Sequence, residues 1–194
     1  MATAFLVNSM LGYPLIAHGA FGAAVQQHRA SCNATQPKQS CPDCTRLVMG
    51  QADLQELQRM ASTCGTPLVA AFLCGRYLVV TPRFEAGRPC ARCFVRRFLS
   101  SPPPGLDSEA VLALSTLAGI ESGFDPTAFA PSLVQLACAL LDHQASGHGR
   151  HALLVDQAGL GHTHAPLVAV HSCACRGPGK GHARFTDFHS EIFR

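Results

Sequence analysis

Ten cysteines lie in this chain of 194 residues, and six of them form close pairs: Cys41/Cys44, Cys90/Cys93 and Cys173/Cys175. Close thiol pairs either exchange a disulfide or, as thiolates, hold a soft or borderline metal ion. In Cys90-Ala91-Arg92-Cys93 the two-residue gap lets both sulfurs of a knuckle reach one tetrahedral zinc, and the pair sits in a turn between a strand-like and a helix-like run. That is half a site. A closed structural zinc takes four ligands at short fixed distances, so a second pair must come from elsewhere. Cys173-Ala174-Cys175 offers one with a tighter, one-residue gap, and would pin the C-terminal end of the fold against the Cys90 loop. Cys41-Pro42-Asp43-Cys44 competes on its better spacing. It could instead be a redox dithiol, but such a pair opens a helix whose N-terminus stabilises the thiolate, and here a strand-like run follows. Cys90, Cys93, Cys173 and Cys175 are the expected zinc set. Cys32, Cys64, Cys74 and Cys138 stand alone, where core packing is the expected role of a thiol.

The ten histidines are read with the same reserve. His162-Thr163-His164 sets alternate rings on one face of an extended segment, which suits a transition metal or acid–base work; a solvated loop is the expectation. His171 stands beside the last cysteine pair and is the best histidine to replace a sulfur ligand. The serines form no nucleophile elbow, the acidic residues are scattered, and no cysteine and histidine can be paired as nucleophile and base from spacing alone.

One further motif concerns phosphate. An apolar run from Tyr13 to Ala17 meets a glycine turn and a helix-capable segment, Ala23 to Ala30, the order that opens a dinucleotide-binding unit. The register is Ala17-x-Gly19-x-x-Gly22, with alanine at the first glycine position, and no lysine follows to meet phosphates. The turn is expected to be structural and to bind no ATP.

The elements that must position these groups alternate between strand and helix. Thr45–Met49 reads as a buried strand ended by Gly50, and Asp53–Ser62 as a helix with a cap at Asp53 and Leu54, Leu57 and Met60 on one face. Pro67–Cys74 and Tyr77–Thr81 are strands joined through Gly75-Arg76. A helix after Cys93 is broken by the prolines of 100–105. Ser108–Ala118 and Pro131–His143 are helices, His151–Asp156 and Leu167–His171 strands, and 176–194 a tail behind a single domain of residues 1–175. Hydrophobic residues make up 47% and charged residues 14%, so much surface is expected to be covered by a partner. A net charge of +3 argues for neither nucleic acid nor an acidic membrane. No apolar stretch approaches the length of a membrane helix, no charged signal start precedes the N-terminal apolar part, and unpaired thiols suit the cytoplasm.

From Asp53 to Pro104 a helix and a strand lead through Gly75-Arg76-Tyr77-Leu78-Val79-Val80-Thr81 and Pro82-Arg83-Phe84-Glu85-Ala86-Gly87-Arg88-Pro89 to Cys90-Ala91-Arg92-Cys93 and an arginine-bearing helix. This stretch resembles the ubiquitin-activating-enzyme-like (ThiF-like) partner proteins of thiazole/oxazole-modified microcin cyclodehydratases. There a Cys-x-x-Cys follows the strand, a long apolar helix comes next, and a last strand ends in a second cysteine pair. Pro131–His143, Leu167–His171 and Cys173/Cys175 are similar in order, and Ala17-x-Gly19-x-x-Gly22 occupies the place of the nucleotide loop.

The resemblance implies an α/β fold: a degenerate Rossmann or ThiF-like sheet flanked by helices, with a structural zinc knuckle. It implies a non-catalytic subunit of a synthetase that installs thiazoline or oxazoline rings in a ribosomal precursor peptide, with the ATP chemistry in a YcaO-type partner. The dozen residues before Tyr13 leave no room for the family's leader-binding winged helix, so a separate leader-binding protein and a homo- or hetero-oligomer are expected. A zinc-stabilised scaffold unrelated to peptide modification, or a thiol oxidoreductase using Cys41 and Cys44, are the competing readings.

Overall fold

The computed structural model describes residues 5–7, 14–32, 43–117, 129–147, 151–158, 161–170 and 173–176. Cys41, His171 and the expected tail from 177 onward lie outside them. Among the described residues seven strands form one sheet in sequence order: β1 (Phe5–Val7), β2 (Leu15–His18), β3 (Thr45–Gln51), β4 (Leu68–Cys74), β5 (Tyr77–Val80), β6 (His151–Asp156) and β7 (His162–Pro166). β2, β3 and β4 are parallel, joined through α1 (Gly19–Cys32) and α2 (Leu54–Thr63); every other neighbouring pair is antiparallel. Between β5 and β6 the chain builds α3 (Ala91–Ser100), α4 (Ser108–Leu117) and α5 (Pro131–Ala145), and a short 3-10 turn, Ala174–Arg176, follows β7. No helix among the described residues is long and apolar enough to cross a membrane.

The sheet is covered on both faces, and β4 shows why its sequence is an unbroken apolar run: all seven residues are buried, as a strand between two layers requires. Leu68, Ala70 and Phe72 face α2, α3 and α4, while Val69, Ala71 and Leu73 face α1 and α5. α5 turns Val134, Ala137, Leu141 and Ala145 into the second layer and leaves Leu133, Leu136 and Leu140 half-buried beside it, so its own sheet absorbs most of its apolar character.

Some local signals hold and others shift. The Asp53 carboxylate accepts from the Glu56 N–H at 2.9 Å and caps α2. Gly75 opens the two-residue β4–β5 hairpin at φ +56°, a left-handed conformation that costs glycine little. Gly50 does not end β3 as expected; the strand continues to Gln51, and the β3–β4 register shifts there instead, as at a bulge. α3 begins at Ala91 rather than after the second cysteine. The last strand also moves: residues 167–170 of the expected Leu167–His171 are not in a strand, and His162–Pro166 is one. The Asp156 N–H donates to the Gly161 carbonyl at 2.8 Å, so pairing starts at once with Val155 opposite His162, and it is used up when His151 meets Pro166.

Gly22 fills the place of the last glycine in the turn, and its job is packing. A Cβ there would lie 2.9 Å from the Val48 carbonyl oxygen and 3.2 Å from the Ala17 backbone, so α1 lies on the sheet only without a side chain at this point. Gly22→Ala is expected to lower stability by about 1–3 kcal/mol, read as a fall in the denaturation midpoint; an unchanged midpoint would show that α1 can lift away at no cost.

Candidate metal centre

The loop that delivers Cys90 is held before it reaches the site. Phe84 bridges back to Leu68 through two backbone hydrogen bonds of 2.8 and 3.0 Å, and Glu85 is clamped between Arg83 and Arg88 at 2.9 and 2.6 Å. α3 starts directly afterwards, because Phe94, Val95 and Phe98 fall on one face and Arg92, Arg96 and Arg97 on the exposed one. Phe94 and Phe98 stack at 5.4 Å, and Phe72 of β4 meets both edge-on. The N-terminus of α3 is thereby fixed on the sheet. Cys90 occupies its N-cap without capping it, which leaves the thiol to turn outward, and Cys93 lies in the first turn, fully buried.

The other pair arrives from β7. Residues 167–170 run on past the sheet, the Cys173 N–H donates to the Val170 carbonyl at 2.9 Å, and Cys173 and Cys175, with the 3-10 turn at Ala174–Arg176, both meet Cys90 and Cys93. The one-residue gap works because of this turn. The four sulfurs lie within 4.8 Å of one another. Cys90 Sγ is 3.9 Å from Cys93 and 3.5 Å from Cys173, and Cys93 is 3.4 Å from Cys175. A tetrahedral ion with bonds of about 2.3 Å to sulfur separates its ligands by about 3.8 Å. The three shorter separations lie within a few tenths of an ångström of that value. The Val170 N–H donates to Cys93 Sγ at 3.2 Å, the kind of peptide donor that supports a ligating thiolate.

Without a cation three of the thiols depart from the ordinary cysteine value, and not in one direction. Burial raises the Cys93 thiol and pushes that of Cys175 up to about 12, while the backbone of Cys175, followed by its thiol, lowers Cys173 to about 7. A bound divalent ion favours the thiolate form of each sulfur it ligates. The donor set, four soft sulfurs in a closed group, suits zinc or another thiolate-preferring ion.

The remaining thiols separate from this site. Cys44 is buried in the layer of α1 and α5, across the sheet from α3, so it does not join the cluster; Cys41 lies outside the described residues. Cys74 is buried and raised to about 11 by desolvation, and Cys64 and Cys138 are half-buried and raised by the same cause. Cys32 departs from the core-packing expectation: it is exposed at the end of α1, 3.3 Å from His28 Nε2. His162 and His164 lie on a strand rather than in a loop. Ala17 and Gly19 stand where β2 meets α1, with Gly19 at φ +70°.

Sequence reasoning missed a polar group behind the sheet. Arg46, 1% exposed, and Arg29, 8% exposed, both reach Asp142 Oδ1, at 3.1 and 2.7 Å. Nothing in the spacing of three residues so far apart announces this. Arg97 and Phe98 of α3, with Leu154, Ala165 and Leu167, help to line a cavity of about 460 Å³. Both elements that carry the cysteine pairs thus border it.

No family model matches the sequence, and no curated protein does. Among solved structures, a chain of the E. coli microcin synthetase McbBCD complex aligns with 80% of this chain and 64% of its own length, at 14% identity and a TM-score of 0.51. The complex with pro-MccB17 bound gives 73% and 57%, at 13% and 0.46, and a heterocyclase in complex with substrate and cofactor gives 76% and 22%, at 13% and 0.45. The chain spans less than two thirds of each of these proteins. The family resemblance read from the sequence is matched in the fold: a mixed α/β sheet flanked by helices.

Proposed function

We propose that the chain is an accessory subunit of a peptide-modifying synthetase that installs thiazoline or oxazoline rings in a ribosomal precursor peptide. The observation that carries this reading is the four-cysteine cluster joining α3 to the C-terminal segment, set on a fold that aligns with a chain of a microcin synthetase. The cysteines hold a structural zinc, which would contribute folding free energy and no reaction step. The chain binds the precursor and a YcaO-type cyclodehydratase, and a separate protein recognises the leader. Holding peptide and enzyme together turns a bimolecular encounter into an effectively intramolecular one. ATP is used by the partner. The packing role of Gly22 supports this division, since it accounts for a glycine of the turn without any nucleotide.

The test reconstitutes cyclodehydratase, precursor and ATP with and without this chain and follows the loss of one water mass per ring by mass spectrometry. Ring formation is expected only when the chain is present. Equal ring formation in both mixtures, with a chain that binds neither component, would overturn the reading in favour of a metal-stabilised scaffold.

A further inference from the structure

We infer that the cavity between α3 and the β6–β7 pair binds a small amphiphile: an apolar body that ends in a single carboxylate. α3 is seated over the middle of the sheet, where Phe94 and Phe98 meet Phe72 of β4. Beyond β4 the sheet runs on through β5, β6 and β7. Ala152 of β6 and Ala165 of β7 are direct cross-strand partners, and both belong to the layer on the α3 side. Two methyl groups therefore stand where strands ordinarily carry branched or aromatic side chains. The space they leave is the cavity of about 460 Å³, lined by these alanines with Phe94, Phe98, Leu154 and Leu167. At about 30 Å³ for each water-sized group it accepts a body of about fifteen non-hydrogen atoms, and its size is that of an ordinary small-molecule pocket.

The polar end of the ligand follows from the mouth. Among the described residues that line the cavity, Arg97 alone is charged, and no acidic side chain joins it. Ser101, also in the lining, lies four residues later and so one helical turn along the same face. Arg97, Ser101 and Pro166 are exposed, so the cavity meets water at this end. Arg97 has no ion pair, and the Ser101 hydroxyl no hydrogen bond, among the described residues. A guanidinium offers a carboxylate two parallel donors, and the hydroxyl adds a third. Its full charge outweighs the opposing dipole at the α3 C-terminus, which amounts to about half a unit.

One guanidinium balances a monoanion. A dianionic phosphate would keep an uncompensated charge beside an apolar wall, which is costly. A free fatty acid and the apolar C-terminal end of a peptide share the chemistry selected here. The inference is independent of the proposed function and of the metal bound by the cysteines.

The experiment titrates the full-length protein, as purified, with octanoate, 1-octanol and N-acetyl-Phe-Leu, and follows binding by calorimetry. Octanoate is expected to bind once per chain below about 1 mM, a modest affinity for a ligand of its size. Arg97→Gln should weaken octanoate about tenfold, the value of one hydrogen bond to a charged group, and leave octanol unchanged. Ala165→Phe should abolish the binding of both by filling the cavity. Arg96→Gln, at an exposed neighbour outside the lining, should change neither. An unchanged metal content and thermal midpoint report that each variant is folded. If the dipeptide binds more tightly than octanoate and responds to the same variants, the ligand is a peptide terminus; the reverse order identifies a hydrocarbon acid. No saturable binding of either acid, equal losses in Arg96→Gln and Arg97→Gln, or binding that survives Ala165→Phe in a folded protein would overturn the assignment.

Discussion

Cys90→Ser and Cys175→Ser are each expected to lose the bound metal and most of the soluble protein. The cluster is the clasp between two parts of the chain 82 and 83 residues apart, since each pair contacts the other through sulfur, Cys90 with Cys173 and Cys93 with Cys175. Structural zinc contributes on the order of 10 kcal/mol to small metal-dependent folds, comparable with the whole stability of an ordinary domain. Here the chain has a core of its own, so the damage starts locally. Freed of the ion, the described residues 167–170 keep the Val170 N–H on Cys93 and the half-buried contact of Leu167. Their departure opens the cavity beside α3 and exposes Phe94 and Phe98 to water. Metal analysis should fall from about one ion per chain to none, with a lower thermal midpoint and aggregation in place of soluble protein. Cys64→Ser, at a half-buried thiol outside the cluster, should keep its metal. Full metal content in the Cys90 and Cys175 variants would sink the proposal.

Asp142→Ala is expected to be the most damaging single change away from the cysteines, at about 3 kcal/mol. Its Oδ1 serves two guanidinium groups that are almost wholly out of water, and α5 presents it to α1 and β3 together. Removing it leaves two buried cations without their shared carboxylate. Arg46 would keep the Cys44 carbonyl at 3.2 Å and Arg29 the Cys138 carbonyl at 3.3 Å, and these neutral acceptors do not replace the charge of Asp142. Asp142 is itself 47% exposed, so water limits the loss to the lower part of the range for buried pairs. Arg46→Met should cost far less, within about 1 kcal/mol, because a flexible apolar chain fills the space and one buried charge disappears. Denaturant titrations of the two single variants and the double variant decide this. A milder effect from Asp142→Ala than from Arg46→Met would show that the arginine contributes through packing and not through charge.

Much of this protein was determined by its sequence alone. The Asp53 cap, the Gly75-Arg76 hairpin, the proline break after α3 and the apolar run of β4 depend on residues within one or two turns of each other, and local chemistry decides them. The close spacing of Cys90 and Cys93, and of Cys173 and Cys175, likewise marks each pair as half of a site. What spacing could not choose was which halves meet. Cys41/Cys44 has the commoner gap, yet Cys44 enters β3 on the far side of the sheet from α3, and a face of a sheet is not written in any single segment. The same holds for β7, whose position follows from how few residues β6 leaves unpaired, for Gly22, which is confined by Val48 of a neighbouring strand, and for Arg46, whose carboxylate lies 96 residues away. Each of these depends on contacts between segments far apart in the chain, and only the folded sheet, with its two faces and its register, brings such segments together.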